Sequence, residues 1–307
     1  MRFNICYGNH GSGVAVEDII TYVRNALRAG GHEAFVSPYL ACTGYNILVE
    51  CFDEEFAGQV IGLRQKTAAR FIVVATEYTD GHTFNPQTAG ADMHYGRPEY
   101  WQERFDAFQR VAAVTDAVWC LSRYQVEPYR DMLGTLPVFE FPRGFDPLMT
   151  PPEHLAPEAK DIDLLFTGNV TAYRRAILTR LKQSFVVAAV TTQTPNVARL
   201  DLICRAKACL HLSLVANAQY NSLGRNHFLL MNKGPVLSER SRLPGELDDF
   251  IAQIDGAAIL EQVGDYLAEG GWKTQGDAMY ERYRAVRPIA AAMTELLEQS
   301  IRVYEDA

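Results

Sequence analysis

The chain has 307 residues, room for one large domain or two ordinary ones, and its 48% hydrophobic and 21% charged residues exclude a disordered or fibrous protein. Its 29 Lys and Arg stand against 37 Asp and Glu, a formal charge of −8 that argues against a dedicated nucleic-acid binder while leaving room for a local basic patch. Of the basic residues 23 are Arg and 6 are Lys, a skew compatible with anion recognition or simply with genome composition.

Cys6, Cys42, Cys51, Cys120, Cys204 and Cys209 form no C-x-x-C pair and mostly sit in apolar runs, as buried free thiols in a reducing compartment would. No signal peptide opens the chain, and no run of about 18 apolar residues exists to span a membrane. The cytoplasm is the expected location.

Arg2 to Tyr7 predicts a short strand. Gly8-Asn9-His10-Gly11-Ser12-Gly13 cannot continue it and predicts a turn. Val16, Ile19, Ile20, Val23 and Leu27 recur at helical spacing, Gly30-Gly31 ends that helix, and Ala34 to Ser37 returns as a strand. Further strands are predicted at Ile47 to Glu50, Phe71 to Ala75, Ala117 to Leu121 and Pro137 to Glu140, with a helix over Tyr100 to Thr115. Glu77 to Arg97 shows no steady period and reads as a long loop at the sheet edge with room for a short helix.

Asp146-Pro147, Pro151-Pro152 and Pro157 mark a linker. A second series of strands then follows at Asp163 to Phe166, Val186 to Val190, Ala208 to Leu212 and Pro235 to Ser238. Helices are predicted over Tyr173 to Gln183, Val197 to Ala206, Leu223 to Met231 and Ala257 to Ala268, and the tail from Ala278 to Ile301 reads as helical with a break at Pro288. The fold expected is α/β, with two Rossmann-like parallel-sheet domains facing a cleft, at residues 1–155 and 160–275. Ile289, Met293, Leu296, Leu297 and Ile301 give a helix at 288–303 one apolar face, which we expect to pack back on the first domain.

The first glycine loop lacks the G-x-G-x-x-G spacing, and Ser37 stands where a dinucleotide site needs an acid, so a dinucleotide cofactor is disfavoured. The loop either holds a polar ligand at a helix start or is a plain tight turn. His10 projects from it as a catalytic base, a substrate contact, or a solvent-facing loop residue. The stronger signal is Thr167-Gly168-Asn169 followed by Arg174-Arg175. A strand ends, a turn follows, and two cations fall in the first helical turn, where each opposes the helix dipole by roughly 0.3–1 kcal/mol. A diphosphate there would remove the conflict; otherwise both arginines point to solvent. Arg225 also comes early in a helix, which Asn221 or Ser222 can cap. Glu239, just after a predicted strand, is placed to take ribose or sugar hydroxyls, or is a solvated loop acid. A metal site is not expected. Asp161-x-Asp163 lies at the wrong end of its strand, and His82 and His94 with Asp80 and Asp92 make a poor zinc set.

Asp161-Ile162-Asp163-Leu164-Leu165-Phe166-Thr167-Gly168-Asn169 with Arg174-Arg175-x-Ile177-Leu178, the passage from Arg199 to Leu212, and Gly224-Arg225 through Asn232-Lys233-Gly234-Pro235-Val236-Leu237-Ser238-Glu239 resemble the donor-binding domain of glycosyltransferases with the GT-B fold. The likeness is to the branch described as glycosyltransferase family 1 or spore-maturation-like. Asp116 to Ser122 and Phe141 to Pro147 are also similar to that family.

The resemblance implies a nucleotide-sugar-binding domain at 160–275 and an acceptor-type domain at 1–155, with the terminal helix crossing back. It implies transfer of a sugar from a nucleotide-diphosphate sugar to an unidentified acceptor (a glycan, protein or small molecule); no metal is expected because arginines and helix starts can neutralise the leaving phosphates, no cofactor is expected, and the net charge argues against nucleic acid. Gly168, Asn169, Arg174, Arg175, Asn221, Arg225 and Glu239 would bind the donor and Gly11, Ser12 and Gly13 would meet the acceptor; if the transfer inverts configuration His10, Glu77 or Asp80 would deprotonate it, and if it retains configuration no strong base is required. Many relatives pair two glutamates eight positions apart, and an apolar residue, Leu229 or Leu230, stands at the helix position here. An inactive GT-B-like binding or scaffold protein is therefore one alternative, and another GT-B enzyme such as a sugar-nucleotide epimerase is a second.

Overall fold

The computed structural model describes residues 1–89, 91–149, 160–216, 218–268, 270–286 and 288–302. The prolines of the predicted linker at 151–159 lie outside the described residues. The chain divides into two compact units, one of Met1–Gly90, His94–Gly144 and Arg287–Ala307, the other of Ala91–Met93 and Phe145–Val286.

In the first unit the order is β1 (Arg2–Cys6), α1 (Glu17–Ala29), β2 (Glu33–Ser37), β3 (Tyr45–Val49), α2 (Glu54–Lys66), β4 (Arg70–Ala75), α3 (Pro98–Ala112), β5 (Ala117–Cys120), α4 (Val126–Leu133) and β6 (Val138–Glu140). The six strands form one parallel sheet in the order β2-β1-β3-β4-β5-β6. β4 and β5 are buried almost throughout, which is why they read as unbroken apolar runs rather than alternating ones. Phe52, Phe56, Phe71, Phe84, Phe105 and Phe108 fill the layer between sheet and helices, with Phe84 edge-on to Phe105 and Phe108. Burying each such side chain stabilises the unit by about 1.5–3 kcal/mol. The predicted loop at Glu77 to Arg97 contains two short 3-10 turns, Pro86–Thr88 and His94–Gly96, and a single bridge between Thr79 and Phe84.

In the second unit the order is β7 (Ile162–Thr167), α5 (Ala172–Leu181), β8 (Val187–Val190), α6 (Asn196–Arg205), β9 (Ala206–His211), α7 (Leu223–Met231), β10 (Val236–Glu239), β11 (Ala252–Ile254), α8 (Ile259–Ala268) and α9 (Gly271–Arg284). Its five parallel strands run β11-β10-β9-β7-β8 around a core of Leu164, Phe166, Leu178, Leu210, Leu237 and Ile259. In both sheets the chain reverses its direction of strand addition once, beside β1 and beside β7. Ligands of such sheets bind at those points, outside the carboxyl ends of the strands.

The last helix, α10 (Ile289–Arg302), belongs to the first unit and packs on α1. Ile289, Ala292, Met293, Leu296 and Leu297 are buried there. Trp119 Nε1 on β5 donates to Ser300 Oγ at 2.9 Å, and that hydroxyl donates to Leu296 O. Among the described residues no helix is long and apolar enough to cross a membrane.

Candidate active site

In the second unit, β7 ends at Thr167 and Gly168 turns the chain with φ 148°. A Cβ there would lie 3.1 Å from Nη1 of Arg225, so the guanidinium lies directly over this glycine. Thr171 caps α5, accepting from Arg174 N–H. Arg174 is buried, and its guanidinium donates to the carbonyls of Leu212, Ser213 and Asn169 at 2.8–3.2 Å. It ties the loop after β7 to the end of β9. Arg175 is exposed and reaches back to Val170 O. The first N–H of α5, on Ala172, donates to both carboxylate oxygens of Asp92, at 2.9 and 3.0 Å, from the Ala91–Met93 stretch of this unit. An acid on this N–H complements the positive end of the helix dipole.

Glu239 is the last residue of β10, in register with Ile254 of β11, and is 5% exposed. The solvated-loop alternative therefore does not describe it. One carboxylate oxygen accepts from Ser213 N–H at 2.8 Å and the other from the Tyr173 hydroxyl. That bond and burial push the Tyr173 phenol well above its usual range, burial being the larger cause.

Asn221 does not cap α7; its amide donates to Glu239 O at 2.7 Å and Ser238 Oγ at 3.2 Å. Sequence reasoning missed His211, buried at the end of β9. Ser222 N–H donates to its Nε2, so Nδ1 carries the proton and faces Ser238 Oγ. Burial first, then the charges of Arg225 and Arg174, hold His211 neutral, far below its ordinary range.

In the first unit the polar residues gather where β1, β3 and β4 end. His10 Nε2 lies 3.2 Å from Val49 O, and a carbonyl can only accept, so Nε2 carries the proton and Nδ1 is bare. Burial pulls His10 below its ordinary value; the Arg104 charge adds to the fall and that of Glu77 opposes it. Asn9 Nδ2 donates to Val49 O and Cys51 O, holding Cys51 at φ 145°, a strained conformation for a residue with a Cβ. The buried Oδ1 of Asn9 has no donor within the described residues.

Glu50 and Arg104 were missed in the sequence. Arg104 Nη2 lies 2.6 and 2.8 Å from the two oxygens of Glu50 and 2.8 Å from Glu77 Oε1. Thr76 Oγ1 donates to Glu50 at 2.9 Å, and Asn85 Nδ2 donates to Glu77 Oε2 at 2.5 Å. Burial pushes the Glu50 carboxyl up to about 7, with Arg104 pulling down and Glu77 adding to the rise. For Glu77 burial acts upward too, but Arg104 and the hydrogen bonds from Asn85, Arg104 and Thr76 outweigh it and hold the group below its usual range. Environments that split two acids in this way are a recurrent device of acid–base sites.

Other predicted residues stand apart from this cluster. Asp80 is exposed and accepts from the N–H groups of His82 and Thr83, closing its own turn. Gly11 and Ser12 are exposed, whereas Gly13 is buried at φ 73°, with the Tyr7 ring 2.8 Å from where a Cβ would stand. Glu17 and Asp18 occupy the first turn of α1, so its start already carries negative charge and repels a phosphate. Among the described residues no group of three or more His, Cys, Asp or Glu side chains could hold a metal ion.

Two parallel sheets flanked by helices, each with polar side chains at the carboxyl ends of its strands, make the GT-B architecture, as the resemblance in sequence implied. No family model and no curated protein sequence matches the chain. Among solved structures it is similar to T4 phage BGT in complex with UDP and Mn2+, at TM-score 0.54 and 10% identity over 98% of this chain and 99% of that one. It is also similar to an α,α-trehalose-phosphate synthase (UDP-forming) from Burkholderia xenovorans in complex with glucose-6-phosphate, at TM-score 0.52 and 8% identity over 94% of this chain and 78% of that one. TarM matches at TM-score 0.51 and 11% identity over 92% of this chain, which spans 57% of the TarM chain. At these identities the likeness is one of fold.

Proposed function

We propose that the protein is a glycosyltransferase that moves a sugar from a nucleotide-diphosphate sugar to a hydroxyl of an acceptor. The observation that carries this reading is the match of its fold, over nearly the whole of both chains, to a BGT structure that holds UDP. The local chemistry supports it. The second unit would be the donor side, with the diphosphate at Gly168 and Asn169 under the Arg225 guanidinium, which would neutralise charge on the leaving group. Arg174 keeps that loop in shape, and Arg175 reaches the same edge from outside. Glu239 accepts one bond at each oxygen and retains lone pairs for ribose or sugar hydroxyls, with Asn221 fixing its backbone.

The first unit would be the acceptor side, entered across the exposed Gly11 and Ser12, with the buried Gly13 shaping that turn. The bare Nδ1 of His10 suits a general base. The acceptor oxygen attacks the anomeric carbon, its proton passes to His10, and the bond to the diphosphate breaks with the electron pair leaving on phosphate. Glu77, whose low pKa makes it a weak base, accepts a hydrogen bond from the acceptor hydroxyl and steadies the imidazolium. A base of this kind fits direct, inverting displacement. Arg225 serves in place of a metal. The motifs around Gly168 and Glu239 support the spore-maturation-like branch. The buried free thiols of Cys6, Cys120, Cys204 and Cys209 support a reducing location such as the cytoplasm.

The test is a nucleotide-sugar panel read by released nucleoside diphosphate, with a chelator in one arm and added Mn2+ in another. Release from at least one donor, undiminished by chelator and lost in His10→Ala, is expected. A folded protein that neither binds nor cleaves any donor overturns the reading in favour of a non-enzymatic GT-B shell, and dependence on Mn2+ overturns the metal-free part.

A further inference from the structure

Glu50, Arg104 and Glu77 join the ends of β3 and β4 to the buried face of α3. Glu50 is 1% exposed and Arg104 8%, while the Glu77 side chain keeps 21% of its surface open. Buried ion clusters are poor stabilising devices, because desolvation offsets much of their attraction and apolar replacements often serve stability better. This cluster has a closed end and an open end. Glu50, at the closed end, accepts from Arg104 with both oxygens and from Thr76. Tyr100 OH accepts from Nη1 at 3.2 Å, and the guanidinium carbon lies 5.1 Å from the centre of the Trp101 ring, so the head group is fixed from several sides. At the open end one Glu77 oxygen takes Arg104 at 2.8 Å and Thr76 at 3.4 Å, while the other takes Asn85 alone and keeps a lone pair.

We propose that Glu50 and Arg104 are positioning residues for Glu77, locking its carboxylate in place as the hydrogen-bond acceptor that orients the incoming hydroxyl within electrostatic reach of His10. This rests on the glycosyltransferase reading. Without Glu50 the guanidinium loses the partner that holds it at the closed end. Without Arg104 Glu77 loses the donor that fixes one of its oxygens and turns outward. The raised Glu50 carboxyl and the lowered Glu77 carboxyl accord with a unit that keeps its charge at the open end.

Two measurements test this. Arg104→Gln alone leaves two buried acids opposed and risks unfolding, so the charge-matched Glu50→Gln/Arg104→Gln variant is used. The first measurement needs no substrate: carboxyl carbons of 13C-labelled glutamates are titrated by NMR, with the Glu77 signal assigned from Glu77→Gln. The Glu77 midpoint should rise by about one pH unit or more in the double variant. A midpoint that stays in place overturns the proposal.

The second measurement follows nucleoside diphosphate release from the best donor of the panel. The double variant should lose about 100-fold in kcat with donor KM held within about two-fold, and adding Glu77→Gln should cost nothing more. Arg104→Lys should recover part of the loss. A triple variant that falls further by the full cost of Glu77→Gln overturns the unit, because independent contributions add. A parent inactive on every donor overturns the glycosyltransferase reading and with it the hydroxyl-orienting role. The titration still decides whether the three residues work as one.

Discussion

Replacing Glu50 by Gln should remove a pH dependence that its burial imposes on the first unit. The folded carboxyl titrates at about 7 against an ordinary 4.5, so between those values the folded chain binds a proton that the unfolded chain has released. Stability from this group is fully present below about pH 4.5 and is lost as pH rises through 7. The whole excursion is worth on the order of 3 kcal/mol, with no discount for solvent because the side chain is inaccessible. Glu77 and His10, both lowered, act oppositely: stability from each is present at higher pH and lost as pH falls. Both remain in the variant, and because the Glu77 charge also acts on Glu50, the parent-minus-variant difference reports Glu50 together with its effect on Glu77.

The assay is urea unfolding at pH 5 and pH 8, followed by tryptophan fluorescence. Trp101 and Trp119 belong to the first unit and Trp272 to the second, so a Trp272→Phe background makes the signal specific. From pH 5 to pH 8 the parent should lose about 2–3 kcal/mol relative to Glu50→Gln. Parallel pH profiles, differing by less than about 0.5 kcal/mol across that range, would refute the assignment of a proton to this carboxyl.

Arg225→Ala should weaken UDP binding roughly 10- to 100-fold with the fold intact, since a charge-assisted hydrogen bond is worth about 1.5–3 kcal/mol; equal titration calorimetry for parent and variant would count against a diphosphate above Gly168. Asp92→Asn, which neutralises the acid on Ala172 N–H, should tighten UDP binding in the same calorimetry, and weaker binding would show that the carboxylate helps the ligand rather than competing with it. Ser300→Ala deprives the buried Trp119 indole of its acceptor and should cost the first unit about 1–3 kcal/mol in urea unfolding, whereas Ser300→Thr should retain most of it.

The parallel sheets were legible because buried strands leave unbroken apolar runs, as at Phe71 to Ala75 and Leu164 to Phe166. Helix α2 was not, since Gly58 and Gly62 dilute its stripe; Asp53, whose carboxylate caps Phe56 N–H, was the overlooked signal. Strand β11 is three residues long, too short for any period to register. At the site, the Gly168 turn could be read from local sequence, whereas Glu77 entered only as one of several acids that could act as a base. Glu50 and Arg104 are neighbours only through pairing of β3 with β4 and packing of α3, across 54 positions. One clue existed: Arg104 lies in the apolar stripe of Trp101, Phe105, Phe108, Val111 and Ala112, and a charge on a buried stripe needs a partner. Arg174 misled for a related reason. Its place in the first helical turn was read correctly, but not the carbonyls of Leu212 and Ser213, which lie just past β9 and 38 and 39 residues away.

The seating of α10 on the first unit also sets an order of events during synthesis. Residues 145–286 leave the ribosome before 289–302 do, so the second unit has its whole sequence while the first still lacks a helix. At about 5–20 residues per second the interval between residue 144 and residue 302 is on the order of ten seconds. Through that interval the surface that Ile289, Met293, Leu296 and Leu297 will cover stays open, and the Trp119 indole has no Ser300 to bond. The usual rule that the earlier domain matures first is therefore reversed. A chain halted near residue 286 would be a finished second unit carrying an unfinished first one, a natural substrate for chaperones and proteases that read exposed apolar surface.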